Sequence, residues 1–426
     1  MRLLPFACVA LALGAPAQAE KGPPADAPAG VLTLEAAVAR ALAASPAVQA
    51  AVRGVRVHEA LAAQAGALPN PELHSEVENV GGSGNREGFE QTESTVSVLQ
   101  RFELGGDRAA RMRVAEGERQ RTVWDLEAAR LAVVADTTKA FVGVLAAQER
   151  VRLAREMERL ADETATAFTK SVAAGAASPV NAAWARVAVA RAAVAREQAE
   201  RVLAAKRTLL AATWGGTHAS FARVAGELDR LPPVPVEADL LEALERAPAI
   251  ARWSTEERAR EGDVALERAR RIPDVTIGAG GRHFSDNGDN ALVFEVSLPL
   301  PVFDRNTQAV AAARERLAQA RDEAAAARAA ARAALVETRL ELAEAHATAT
   351  ALTTRVLPEA RRAARDALAA YRQGALRPMD VLEARRTLVE LEEERLDALE
   401  RVHVAAAELA RFTAAPLSLP PGGGAR

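Results

Sequence analysis

Tyr371–Glu383 reads Y-R-Q-G-A-L-R-P-M-D-V-L-E and lies between two Ala-rich tracts of helical composition, Thr307–Gln373 and Pro378–Phe412. Gly374 is a residue a helix can end on, because it takes the left-handed conformation without a Cβ penalty. Pro378 suits the first turn of the next helix, where its missing N–H costs nothing. The stretch therefore reads as the tip of a very long helical hairpin. Asp380 and Glu383 are three residues apart and share one face of the returning helix. Two acids near a helix N-terminus are ordinary, since they favour the helix dipole. What raises their interest is that the tip occurs twice.

Pro46 matches Pro248 and Pro71 matches Pro273, each pair 202 residues apart. Ser97 matches Ser297 at 200, and Gly175 and Pro179 match Gly374 and Pro378 at 199. So nearly constant an offset marks an internal duplication. Each half has one plan: a short helix, a second helix, a β-hairpin, a very long helix, a tip and a returning helix. The expected repeats are 31–215 and 236–412. The first holds a β-hairpin over 72–102, a long helix over 107–173 and a returning helix over 179–212. The second holds the corresponding elements at 274–301, 307–373 and 378–412. Pro358 should bend the second long helix locally. Residues 216–235 are expected as an inter-repeat loop and 413–426 as a mobile tail. A helix of 107–173 would reach about 100 Å at 1.5 Å per residue. The fold class is mainly α with a small β part.

Composition agrees. Aromatic residues are 4% of the 426, too few for several ordinary globular cores, and the formal charge of −3 argues against a nucleic-acid partner. An Ala-, Arg-, Glu- and Leu-rich chain points to long helices packed through small side chains. Residues 1–19 read as a secretory signal, with Arg2, an apolar Leu3–Leu13 and a small-x-small site at Ala17–Ala19. Residues 20–30 read as a flexible linker. Cys8, the one cysteine, lies in the apolar run and lacks a lipoprotein cleavage box. No later run approaches 18 uninterrupted apolar residues, so a membrane would be met through strands or a surface contact.

Four segments alternate with period 2. In the first hairpin, Leu73, Val77, Val96, Val98 and Phe102 oppose Glu72, His74, Glu76, Glu78, Glu93, Thr95 and Ser97. In the second, Val275, Ile277, Leu292, Phe294, Val296, Leu298 and Leu300 oppose Thr276, Gly278, Glu295 and Ser297. Val80–Gln91 and Arg282–Asn290 read as Gly-, Asn- and Asp-rich turns. The segments approach the 9–11 residues of a tilted transmembrane strand. Glu72, Glu76, Glu78, Glu93 and Glu295 would then line a wet lumen. Four strands cannot close a barrel, and an open edge in lipid leaves backbone groups unsatisfied. Oligomerisation becomes a physical requirement.

The duplication, the hairpins and the two tips resemble the TolC-like outer-membrane efflux proteins over nearly the whole mature chain. Leu68–Asn79 (L-P-N-P-E-L-H-S-E-V-E-N), Arg101–Arg108 (R-F-E-L-G-G-D-R) and Ser297–Asn306 (S-L-P-L-P-V-F-D-R-N) resemble that family's heavy-metal-efflux branch. The resemblance implies a homotrimer sharing a twelve-stranded barrel in outer-membrane lipid, above a periplasmic helical tunnel. Its partners would be a periplasmic adaptor and an inner-membrane, proton-driven RND-type pump. It further implies that the tips close the periplasmic entrance. Tyr371 falls where a tyrosine helps hold that closure, and Asp380 and Glu383 where two acids form constriction rings. Asn181 stands where related channels can carry an aspartate. Leu376 replaces an arginine of the family pattern, with Arg377 adjacent.

The six histidines are scattered without ligand spacing, so no metal site and no cofactor is expected. No nucleophile elbow or phosphate loop is present, which disfavours an enzyme. An adaptor would have one helical hairpin rather than two. A soluble periplasmic coiled-coil scaffold, and channels for drug efflux or one-step protein secretion, are the competing readings.

Overall fold

The computed structural model describes residues 30–175 and 177–413. The expected signal segment, nearly all of the linker and the tail from 414 onward lie outside the described residues. The first repeat comprises α1 (Leu34–Ala44), α2 (Pro46–Ala65), β2 (Glu72–Glu78), β3 (Glu93–Phe102), α3 (Asp107–Ala173) and α4 (Pro179–Ala212). The second comprises α5 (Glu237–Arg246), α6 (Pro248–Ala269), β5 (Val275–Phe284), β6 (Asn290–Ser297), α7 (Thr307–Ala351), α8 (Leu357–Arg372) and α9 (Pro378–Thr413). The strands form one antiparallel sheet in the order β2-β3-β5-β6, so the two repeats meet at the β3–β5 ladder. The chain is thus mainly helical, with long antiparallel hairpins built twice and a small sheet.

Both junctions from sheet to long helix turn on a left-handed residue. Gly106 (φ 79°) precedes α3 and Asn306 (φ 54°) precedes α7. The Asn306 side-chain amide donates to the Glu267 carbonyl and carboxylate at 2.8 Å each, which fastens the strained turn to α6.

Two expectations need correction. The second long helix is not a single α-helix with a bend at Pro358. Leu352–Val356 forms a π-turn between α7 and α8, closed by the Leu357 N–H donating to the Leu352 carbonyl. Pro358 has no N–H and its ring crowds the carbonyl four residues back. Widening the preceding turn to i→i+5 spacing absorbs both problems while the helix continues. Residues 216–235, expected as a loop, also hold one short strand. Arg223–Val224 (β4) pairs in parallel with Val31–Leu32 (β1). The Gln148 side chain of α3 then bonds both the N–H and the carbonyl of Val224, at 2.8 and 3.1 Å. Phe221, Val224 and Leu228 from this connection, with Trp214 just before it, are buried in the main core with Phe141, Val144 and Leu145 of α3.

That middle stretch of α3 contains an 18-residue window long and apolar enough to cross a membrane. Sixty-one per cent of the window is buried within the protein, where it forms the core between the repeats. Where α3 passes α6, the helices approach closely through Gly117, at which an added Cβ would lie 2.9 Å from that of Ala259. Gly117→Val is therefore expected to destabilise the protein by about 1–3 kcal/mol. Gly54→Ala in α2, where a Cβ meets nothing within 4 Å, should instead stabilise it by about 0.5–1 kcal/mol. Thermal denaturation of the two variants checks both signs.

Candidate functional sites at the sheet and the tips

The sheet has two unlike faces, and the register assigns each residue to one of them. Glu76 pairs with Thr95 and Glu78 with Glu93. Thr95 pairs with Arg282 and Ser97 with Gly280, and Gly278 with Glu295. All five expected acids (Glu72, Glu76, Glu78, Glu93 and Glu295) therefore share one face. Thr95 and Ser97 on it are only 4% and 3% exposed, as on the concave side of a curled sheet. The curl is permitted by glycine. A Cβ on Gly280 would sit 2.5 Å from that of Ser97, and one on Gly278 2.4 Å from a Leu99 methyl.

The opposite face is mainly apolar, with Ser75, Ser94 and Gln100 among its residues, and it is bare. Leu73, Val77, Val96, Val98 and Ile277 are exposed, and Leu292, Phe294 and Val296 are 81, 78 and 72% exposed. So large a continuous apolar patch marks contact with another protein or a lipid phase. The outer ladders of β2 and β6 have no partner strand among the described residues.

At the other end of the long helices, the second tip is a Schellman turn. Gly374 (φ 76°) donates to the Tyr371 carbonyl and Ala375 to that of Ala370, each at 2.9 Å. The first tip matches it through Gly175 (φ 71°) and the Ser178 cap before Pro179. Phe168, Ala185, Leu368, Tyr371 and Val381 form a small core that binds the two tips together. The Tyr371 ring lies 4.5 Å from that of Phe168. Its hydroxyl is buried without a hydrogen-bond partner among the described residues. Asp380 is not a bare acid: Arg377 donates to its carboxylate at 3.1 and 3.2 Å. That bond from Arg377 holds the Asp380 carboxyl below its ordinary range. Glu383 is exposed one turn along, with no hydrogen-bonded partner among the described residues but with the charge of Arg386 nearby, and Asn181 is half-buried at the start of α4.

The outer membrane efflux protein family matches residues 37–216 and again 240–415. The chain belongs to that family. It is 34% identical over 384 residues to the cobalt-zinc-cadmium resistance protein CzcC of Cupriavidus metallidurans, covering 90% of each chain. The nickel-cobalt-cadmium resistance protein NccC of Alcaligenes xylosoxydans xylosoxydans is 30% identical over 288 residues, 66% of this chain and 64% of that protein. The fold is similar to that of a membrane protein from Pseudomonas aeruginosa, with a TM-score of 0.77 and 20% identity over 89% of this chain and 90% of that one. CusC superposes with a TM-score of 0.76 at 16% identity over 92% of both chains.

In this outer membrane efflux protein the family match divides where the duplication divides. Sequence reasoning missed Arg282, placed in a turn with the Gly-, Asn- and Asp-rich residues that follow it; β5 in fact runs on to Phe284. It also missed the Arg377–Asp380 pair, although the three-residue spacing signals it. Among the described residues no three His, Cys, Asp or Glu side chains are grouped to hold a metal. His403 is a core residue: its Nε2 lies 2.9 Å from the Leu228 carbonyl, and burial pushes its pKa down.

The tip core gives a paired expectation. Tyr371→Phe removes a buried hydroxyl without a partner, so stability should hold or rise by up to about 1 kcal/mol. Phe168→Ala should cost about 3–5 kcal/mol. Hydrogen exchange of the tip amides, together with thermal melts, separates the two.

Proposed function

We propose that this protein is the exit duct of a tripartite efflux system and passively passes heavy-metal cations out of the cell. The carrying observation is the curled sheet, whose apolar face is bare, whose polar face is concave and whose two edges are open. Three copies would join β2 of one chain to β6 of the next and close a twelve-stranded barrel in the outer membrane. The convex residues would then face lipid, and Glu72, Glu76, Glu78, Glu93 and Glu295 the lumen. The helical hairpins would form a periplasmic tunnel. On α4, exposed Val180, Trp184, Val187, Val194, Val202 and Leu209 recur at near-heptad spacing, a seam suited to a helix of a neighbouring copy. This duct performs no covalent chemistry, and a periplasmic adaptor and an inner-membrane RND-type pump would supply cargo and energy. Heavy-metal cargo is supported by the 34% identity with a cobalt-zinc-cadmium resistance protein. Channels for drugs or secreted protein would share the duct.

Tyr371, Arg377, Asp380, Glu383 and Asn181 form the proposed periplasmic gate, positioned by the turns at Gly175, Pro179, Gly374 and Pro378. Because Arg377 is hydrogen-bonded to Asp380 while Arg386 reaches Glu383 only through its charge, the three copies of Glu383 keep more uncompensated charge than those of Asp380. Rings of like charge bias passage toward the opposite ion. Loss of the channel gene should sensitise cells to cobalt, zinc or cadmium, with detergent particles containing three chains. Unchanged metal tolerance would point to another cargo, and monomers to another architecture. In planar bilayers, Glu383→Gln should lower cation over anion selectivity by about twofold, and Asp380→Asn by less. Equal effects would contradict the charge assignment.

A further inference from the structure

Glu78 and Glu93 stand directly opposite each other across the β2–β3 ladder. Like charges in that register destabilise a sheet, so the pair calls for a counter-charge. Arg282 supplies it from the other repeat. It projects from β5 opposite Thr95 and reaches back across two strands. Its Nη1 donates to Glu93 Oε2 at 2.8 Å and its Nε to Thr95 Oγ1 at 2.8 Å. Its Nη2 lies 3.1 Å from Glu78 Oε2. All three guanidinium nitrogens are thereby anchored. Asn79 adds a bond from Nδ2 to Glu93 Oε1 at 3.1 Å, and Arg86 donates to Asn79 Oδ1. The Arg282 and Glu93 side chains are 27% and 23% exposed, so the group is reachable from the concave space.

Without the guanidinium, this place would hold the two carboxylates and the Thr95 hydroxyl that now share Arg282. That is a hard-oxygen donor set of the kind that binds divalent cations. A conduit for such cations must release them, since binding too strong to leave stops conduction. Arginine suits the position because it stays charged and its fork spans both acids. Two carboxylates face the guanidinium of Arg282, and Arg86 adds a second cation one bond further out through Asn79.

We propose that Arg282 is a specificity-determining residue of the duct: a fixed cation that fills the Glu78–Glu93 pair and denies it to passing divalent metal ions. The inference rests on the duct reading above, with the concave face as lumen.

The test is single-channel recording of the full-length assembly in planar lipid bilayers with CdCl2 added in steps. Wild type should conduct with little block. Arg282→Gln should be blocked at a Cd2+ concentration lower by about tenfold or more, as added ligand charge dictates. Combining it with Glu78→Gln and Glu93→Gln should restore the wild-type response, which a merely structural staple would not do. Arg282→Lys, which keeps a charge but cannot span both acids, should shift the block in the same direction by less, and serves if the glutamine variant does not assemble. Cd2+ block unchanged in both single variants, or persisting in the triple variant, would overturn the proposal. A wild-type protein that forms no conducting particle would overturn the duct reading instead.

Discussion

Backbone hydrogen bonding at the two edges of a four-stranded sheet governs this molecule. Among the described residues, β2 and β6 each offer a row of N–H and carbonyl groups with no strand beside them, and the convex face offers mainly apolar side chains. Water could satisfy the edges but not the face; lipid could satisfy the face but not the edges. Additional copies of the same chain resolve both at once, because they pair the edges and leave the apolar face outward. The curl sets the radius on which such a ring closes, and Gly278 and Gly280 permit the curl by removing side chains where strand and neighbour nearly touch.

The helices serve that arrangement. Left-handed turns at Gly106 and Asn306 start the two long helices at equivalent points of the repeats. The connection between repeats is packed into the middle of the tower, where β1 and β4 pair and Gln148 binds them to α3. The π-turn ahead of Pro358 keeps the second long helix continuous to its tip. At that tip, Tyr371 is turned inward against Phe168, so aromatic packing joins the two hairpins within one chain. Charge at the tip is uneven: Arg377 is bonded to Asp380, while Glu383 is exposed and feels Arg386 only through its charge.

Much of this was legible in the sequence because the signals are local. Gly374 and Pro378 announce a helix end and a helix start, and their counterparts Gly175 and Pro179 expose the duplication. Period-2 alternation over Leu292–Leu300 separates the faces without knowledge of any neighbour. What escaped was set by tertiary partners. Two-residue strands such as Arg223–Val224 have no period to detect. Arg282 follows a run of small residues, and only the β3–β5 register shows that it meets Glu78 and Glu93. The inward turn of Tyr371 depends on Phe168, about 200 residues earlier in the chain.

Disulfide scanning between the two edge strands measures the central requirement directly. The only native cysteine is Cys8, so paired cysteines placed along Glu72–Glu78 and Asn290–Ser297 report cleanly on strand neighbours in the native membrane. Oxidation should yield covalent dimers and trimers, at one register and in every second position along the strands. Cross-links confined to a single chain would show that the sheet closes on itself, and no shared barrel would then exist.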